Sequence, residues 1–348
     1  MVTQLIPQFT FSLRHLPTTD NFMKRQKYRG LLLTVVLACM ALSCDQSFDP
    51  KGVYEDRLVV YSILSTDRNQ QFVRVFSTYD PPGYDPREVG NDRQIMGALV
   101  SMQETGSVVQ FRDTALARPD TSRYKDSLRL YVGAPFLPQS GKTYRLSIST
   151  PTYGMVTATV TMPSSGTLSV TAGYSAVTAP NLTDPNRLIS LQATFSSATR
   201  GYLIRMQVEY EVQTETGWRL ERVEIPYLFQ GSGFDLTKAV YPTLTRALTR
   251  ATRVDFVNGG YRAALNHVIL DRHPTRLITF KQVAFYLLQA EENLYDYYSI
   301  TTGFQDPYSI RLDQPLHTNI QGGYGVFGGY TLDSLVFPLP TTFDYNRK

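Results

Sequence analysis

The sequence predicts a mainly β protein: an N-terminal Ig-like β-sandwich followed by a second β-rich domain with one or a few short helices. Three observations predict this. Short runs rich in β-branched and aromatic residues, several of them strictly alternating, recur from residue 57 onward. Turn signals containing Gly, Pro, Asp or Ser separate them at the spacing of a sandwich. A helical period is clear in one late segment, residues 291–301, where Leu294, Tyr297, Tyr298 and Thr301 fall at i, i+3, i+4 and i+7.

Ahead of the strands lies a leader. Lys24, Arg25, Lys27 and Arg29 form a basic block, residues 30–42 are small or apolar, and Ser43 precedes Cys44. This is the order of a bacterial lipoprotein signal peptide over residues 23–43, after which Cys44 would carry lipid. The apolar run 31–42 is roughly 18 Å long as a helix, against a hydrocarbon slab of about 30 Å, so it fits a signal core and not a span. Residues 1–22 place Pro7, Arg14, Pro17 and Asp20 ahead of the basic block and fit no part of a leader, so translation is expected to start at Met23 and 1–22 to be a non-native extension. Residues 44–56 are poor in apolar side chains and read as a tether that could reach about 40 Å when extended.

Residues 57–163 carry the sandwich. Runs 58–64 and 72–76 come first, and 98–103 and 108–111 flank Glu104-Thr105-Gly106-Ser107, a hairpin signal. Residues 144–149 alternate, and Tyr153-Gly154 turns into 156–160. Segments 79–94 and 114–126, rich in Pro, Asp and Arg, are expected as exposed loops. Pro163-Ser164-Ser165-Gly166 marks a boundary, and residues 164–348 form the second domain. Its strands are expected at 188–195, 202–213, 218–229, 277–289 and 332–339, with a hairpin tip over Val212–Trp218 and short helices at 244–252, 261–270 and near 291–301.

Charge and cysteine content exclude several classes. The chain holds 34 basic and 30 acidic residues; residues 1–43 hold five and one of these, leaving 29 of each. A neutral mature chain lacks the basic face that nucleic acid requires. Only Cys39 and Cys44 exist, and the first leaves with the leader, so no thiol remains for a disulfide, a zinc site or a nucleophile. Ser140-Gly141-Lys142-Thr143 imitates a P-loop end, but Phe136 stands where its first glycine belongs, and a turn before Tyr144 explains it better. Gly231-Ser232-Gly233 lacks the outer glycines of a nucleophile elbow. His267, His273 and His317 form no metal-binding pair and no calcium loop occurs, so neither metal nor cofactor is expected. Glu291-Glu292, at a helix start, suits the macrodipole without a catalytic role.

The densest late signal is Asn319-Ile320-Gln321-Gly322-Gly323-Tyr324-Gly325-Val326-Phe327-Gly328-Gly329-Tyr330. Its G-x-G-x-x-G match has no βαβ context. It reads either as a turn beneath the final strand, with Tyr324, Phe327 and Tyr330 in the core, or as a surface that meets a partner or ligand. On the second reading the candidate surface comprises Tyr295, Tyr297, Asn319, Gly322, Gly323, Tyr324, Gly325 and Phe327, with tyrosine supplying an apolar face and a polar tip.

This stretch, the helix sequence Asn293-Leu294-Tyr295-Asp296-Tyr297-Tyr298, the Asp306-Pro307 loop and the leader cysteine together resemble an uncharacterised family of Bacteroidota outer-membrane lipoproteins, a domain of unknown function. The resemblance spans nearly the whole mature chain and is specific at the C-terminus. It implies an outer-membrane anchor and a TonB-dependent receptor as partner, and it brings no catalytic residues. Asp113-Thr114-Ala115 and Asp126-Ser127-Leu128 resemble O-glycosylation acceptors of exported Bacteroidota proteins, which marks Thr114 and Ser127; Asp333-Ser334-Leu335 has the same form. The expected function is a lipid-anchored binding or accessory protein in nutrient uptake. The rivals are a structural or adhesive surface lipoprotein, and a surface hydrolase whose carboxylates converge only in the fold.

Overall fold

A computed structural model describes residues 53–81, 83, 92–118, 121–122, 124–175, 178–231, 235–302 and 317–345. The leader, Cys44, residues 44–52 of the tether and the Asp306-Pro307 loop lie outside the described residues. The chain divides into two units, Met1–Tyr54 and Glu55–Lys348, and the second carries every described strand and helix.

Seven strands follow in order: β1 (Leu58–Ser65), β2 (Gln71–Ser77), β3 (Leu99–Glu104), β4 (Ser107–Leu116), β5 (Leu128–Gly133), β6 (Thr143–Thr150) and β7 (Gly154–Thr161). The alternation read in the sequence is the burial pattern observed. On β6, Tyr144, Leu146 and Ile148 are buried while Arg145 and Ser149 face water. The expected hairpin at Thr105-Gly106 joins β3 to β4 in register, with Gly106 at a φ of 84°. β4 changes partner midway: Ser107–Phe111 pair with β3, and Arg112–Leu116 pair with β5. That switch folds the strands into two facing layers around a core that includes Leu58, Val60, Val75, Met102, Tyr131 and Tyr144. Segment 114–126, expected as a loop, therefore begins as strand.

The second half contributes β8 (Thr167–Ala172), β9 (Leu188–Thr194), β10 (Gly201–Thr214), β11 (Gly217–Ile225), the two-residue β12 (Leu228–Phe229), β13 (Ala239–Val240) and β14 (Thr245–Arg246), then β15 (Ala251–Val257), β16 (Ile278–Ala290) and β17 (Tyr324–Phe337). Helix α1 (Asn258–His267) runs on into a π-helical turn, Val268–Arg272, and α2 spans Glu292–Thr302. Strands β15-β9-β8 form a small sheet that faces β11-β10-β16-β17 across a second core, where Leu191 of β9 joins Met206, Tyr210, Phe256, Tyr261 and Phe285. The helix expected at 244–252 is instead extended: Thr245 and Arg246 pair with Tyr202 and Gly201, and Ala251 opens β15. Threonines at 243, 245, 249 and 252 are poor helix formers, and the backbone of this segment is bonded to β10 and β9.

β17 joins the two halves. Its first seven residues run parallel to β1 and its last eight run antiparallel to β16, with Tyr330 paired on both sides. Phe327 enters the first core, whereas Leu335 and Phe337 pack on the second. The glycine run, expected as a turn before a strand starting at 332, is thus the first half of that strand. Alternation is invisible there because close neighbours occupy both faces. A Cβ on Gly328 would lie 2.8 Å from Leu294 Cβ of α2, and one on Gly329 would lie 2.4 Å from Met162 Sδ.

Candidate functional site

One face of the sheet β11-β10-β16-β17-β1-β2 covers the cores, and the other carries α2 and is otherwise open among the described residues. The alternation sets this directly. Ile204, Met206 and Val208 of β10 and Phe285 and Leu287 of β16 point inward. Their neighbours Leu203, Arg205, Gln207, Tyr286 and Leu288 therefore point outward. α2 is fixed on this outer face by its own first residues. Glu291 is buried and accepts hydrogen bonds from the backbone N–H groups of Asn293 (2.8 Å) and Leu294 (2.7 Å), and from Gly329 N (3.3 Å), which caps the helix and ties it to β17. Burial raises the Glu291 carboxyl, and these donors oppose that rise.

Beside α2 the outer face is grooved. An apolar cavity of about 220 Å³ is lined by Ile63, Leu203, Leu244, Leu294 and Tyr298, among others. A second cavity of about 270 Å³ shares Leu203, Leu288 and Tyr330 with it and continues to Asp67, Arg68, Arg205, Arg222 and Tyr286. The shared residues make one groove with an apolar end and a charged end. Cross-strand pairs order the charged end: Arg222 Nε donates to Glu209 Oε1 at 2.8 Å, Gln282 Nε2 donates to Glu209 Oε2 at 2.7 Å, and Arg205 Nε donates to Glu224 Oε1 at 2.9 Å. The hydrogen bond from Arg205 to Glu224 raises the Arg205 guanidinium.

The residues singled out in the sequence divide around this groove. Tyr298, on the helix face that carries Leu294 and Tyr297, lines it and is exposed. Tyr297 stands in an aromatic row, 5.7 Å from Tyr61, which stacks on Phe76 at 5.5 Å. Tyr295 lies on Gly201, where any Cβ would come within 2.2 Å of its ring. Asn319 imitates a strand, accepting from Phe327 N (2.9 Å) and donating to Phe327 O (2.7 Å). Gly322 and Gly323 precede β17, Gly325 sits against Val60, and Tyr324 lies under the Arg57 guanidinium at 5.4 Å. Gly323, Gly325 and Phe327 are buried, so the surface reading does not extend to them. Thr114 is half-buried within β4, not in a loop, whereas Ser127 is exposed just before β5. Sequence reading missed Leu203, Leu288 and Ile63; apolar residues at outward positions of alternating strands were the available signal.

Two further cavities flank β14. One of about 390 Å³ is lined by Tyr202, Tyr227, Thr243, Arg253 and Asp255, with Arg253 Nε donating to Asp255 at 2.9 Å. The other, of about 340 Å³, lies between the 196–200 and 247–250 segments and Glu292. Each of these four cavities carries at most one carboxylate in its lining. Among the described residues, no group of three or more His, Cys, Asp or Glu side chains is placed to hold a metal ion.

Fold and groove define a mainly β protein built on two cores under one sheet, with an open grooved surface on the opposite face. Residues 45–335 match the family model described as a domain of unknown function (DUF4249), and the chain belongs to that family. No curated protein matches it. Among solved structures, it is similar to the C-terminal globular domain of an oligosaccharyltransferase from Pyrococcus abyssi, at 11% identity over 69% of this chain and 50% of that one. The TM-score of 0.20 is too low for that likeness to carry an argument.

Proposed function

We propose that the protein is a lipid-anchored binding or accessory protein of the bacterial outer membrane, working beside a TonB-dependent receptor in nutrient uptake. The continuous groove on the outer sheet face is the observation that carries the binding role. Its apolar end removes ligand or partner surface from water, and its ion-paired end fixes orientation. The basic block, short apolar run and Ser43-Cys44 support the anchor. The resemblance carried by the aromatic helix and the glycine run supports the receptor as partner.

Palmitate labelling of cells expressing the chain and Cys44→Ala tests the anchor: label is expected on the first and absent from the second. Affinity capture from detergent-solubilised envelopes, with Leu203→Arg and Tyr298→Ala in parallel, tests the groove. An outer-membrane receptor identified by mass with the unaltered chain, and lost with the groove variants, is the expected result. Recovery of no receptor, or equal recovery with all three, would count against the proposal.

A further inference from the structure

β11 ends the large sheet, and its outer edge is open. The strand is nine residues long, holds no proline and pairs with β10 without a bulge. Gln213 N donates to Leu277 O at 2.9 Å, on the β16 side of β10, so Val212 and Thr214 turn their backbone groups to β11. Their partners Arg219 and Gly217 spend their own groups in that pairing. The N–H and C=O of Trp218, Leu220 and Arg222 therefore point away from the sheet. Arg222 O agrees with this, since Arg272 Nη1 reaches it from outside in a long contact of 3.5 Å. Among the described residues, nothing else bonds to these three backbone positions. The far end of the sheet differs. There the residues before β17 meet the edge of β7, with Thr157 N donating to Gln321 O at 3.3 Å and Gln321 N to Thr157 O at 2.8 Å.

The side chains of the open edge suggest what covers it. Trp218, the single tryptophan of the chain, and Leu220 are 51% and 54% exposed on the outer face. The order Trp218-Arg219-Leu220-Glu221-Arg222 complements a reversed copy of itself. With Leu220 opposite Leu220, Arg219 faces Glu221 and Trp218 faces Arg222, a charge pair and a cation–π pair on either side of an apolar centre. Every hydrogen-bonded pair in that register uses backbone groups that already point outward. The smallest shift that keeps those groups in use sets Arg219 against Arg219 in one direction and Glu221 against Glu221 in the other, and like charges directly opposite are destabilising. Arg222 keeps Glu209 as its partner within each copy, at 2.8 Å from Nε, so the pairing strands no charge.

We infer that two copies of this chain pair edge to edge through β11, antiparallel about a two-fold axis at Leu220, so that their large sheets become one. Trp218 N of the second copy takes Arg222 O in place of Arg272. The contact uses neither the groove nor a receptor, so its loss would leave the proposed function standing.

Sedimentation velocity of the full chain over a concentration series tests this, and a monomer–dimer equilibrium is expected. Leu220→Pro removes an N–H that serves no bond within one copy, and is expected to weaken the dimer at least ~10-fold with the melting temperature unchanged. Leu220→Lys keeps the backbone free and sets like charges on the axis, and is expected to weaken the dimer as well. Oxidation of Leu220→Cys in a Cys39→Ser, Cys44→Ser background is expected to give a covalent dimer, because residues of a hydrogen-bonded pair stand about 5.5 Å apart at Cα. Arg222→Cys in the same background is expected to stay uncrosslinked. A full chain that is monomeric throughout, a dimer untouched by both Leu220 variants, or cross-linking at Arg222→Cys and not at Leu220→Cys would each overturn the inference.

Discussion

Among the described glycines, Gly325 meets the closest neighbour. Its φ is 108°, and a Cβ built there would lie 2.0 Å from Val60 O, inside the parallel pairing of β17 with β1. Any side chain must both leave a conformation that L-residues avoid and push β1 away. Gly106 differs in the second respect only: its φ is 84°, but nothing lies within 4 Å of its Cβ position. Gly106→Ala is therefore expected to cost about 1 kcal/mol, the left-handed penalty alone. Gly325→Ala is expected to cost on the order of 3 kcal/mol or more, a large part of a typical domain's roughly 5–15 kcal/mol. Denaturant melts of the two variants check this, and equal losses would mean that β17 is not packed against β1 as described. The sequence could not separate these glycines, because the neighbour that makes one of them indispensable, Val60, is distant along the chain.

At the scale of elements, a charge cluster fastens the π-helical turn after α1 to the edge strand β11. Glu221 of β11 is 9% exposed and receives Tyr210 Oη from β10 at 2.9 Å, His273 Nε2 at 3.1 Å and Arg219 Nε at 3.0 Å, with Arg272 at 3.3 Å. Burial alone would raise its carboxyl. Hydrogen bonds from Arg219, Tyr210 and His273 and the charge on Arg272 outweigh burial and hold it at about 2, against an ordinary 4.5. The folded-state value lies below the unfolded one, so the stability that Glu221 adds is full above about pH 4.5 and is lost as pH falls through about 2. That contribution is about 3 kcal/mol. Glu221→Gln should be less stable by an amount of that order at pH 7, and the gap should close between pH 4.5 and 2. Parallel stability curves across that range would show that the cluster does not hold the charge.

Legibility also varies element by element. β6, β7 and the β3–β4 hairpin were readable because one face meets a core and the other meets water, which writes a period of two into the sequence. α2 was readable from its acidic start and its period. The first half of β17 was not, since α2 covers one face and the first core the other, so neither face is polar. Segment 244–252 misled because its apolar spacing belongs to two walls of different cavities, not to one helix face. The groove shared this difficulty: Tyr298 was visible as an aromatic, but its neighbours Leu203, Leu288 and Ile63 come from three strands that only the sheet order brings together.

For the whole molecule, the question is whether the two cores can stand apart. Inward-facing residues of β17 serve the first core at Phe327 and the second at Leu335 and Phe337. Ile320, just before the strand, also belongs to the first core, and Gln321 bridges to Thr157 on β7. A fragment of residues 57–163 contains all of β1 to β7 yet lacks these groups. It would expose the inner edge of β1 along seven paired positions and open the space filled by Phe327, which is fully buried. Loss of Phe327 and Ile320 alone removes roughly 3–6 kcal/mol of burial, comparable to the entire margin of a domain of that size. The fragment is therefore expected to show strand content by circular dichroism without a cooperative thermal transition. A peptide covering residues 318–337, added in trans, should restore the transition by supplying the missing strand, because main-chain pairing and the Phe327 pocket are both open to it. A fragment that melts cooperatively alone, with no response to the peptide, would mean that the sandwich is complete in itself and that β17 merely rests on it. Restoration by the peptide would mean that the last strand is what makes the sandwich a folded body, so that the chain must be finished before its first core is stable.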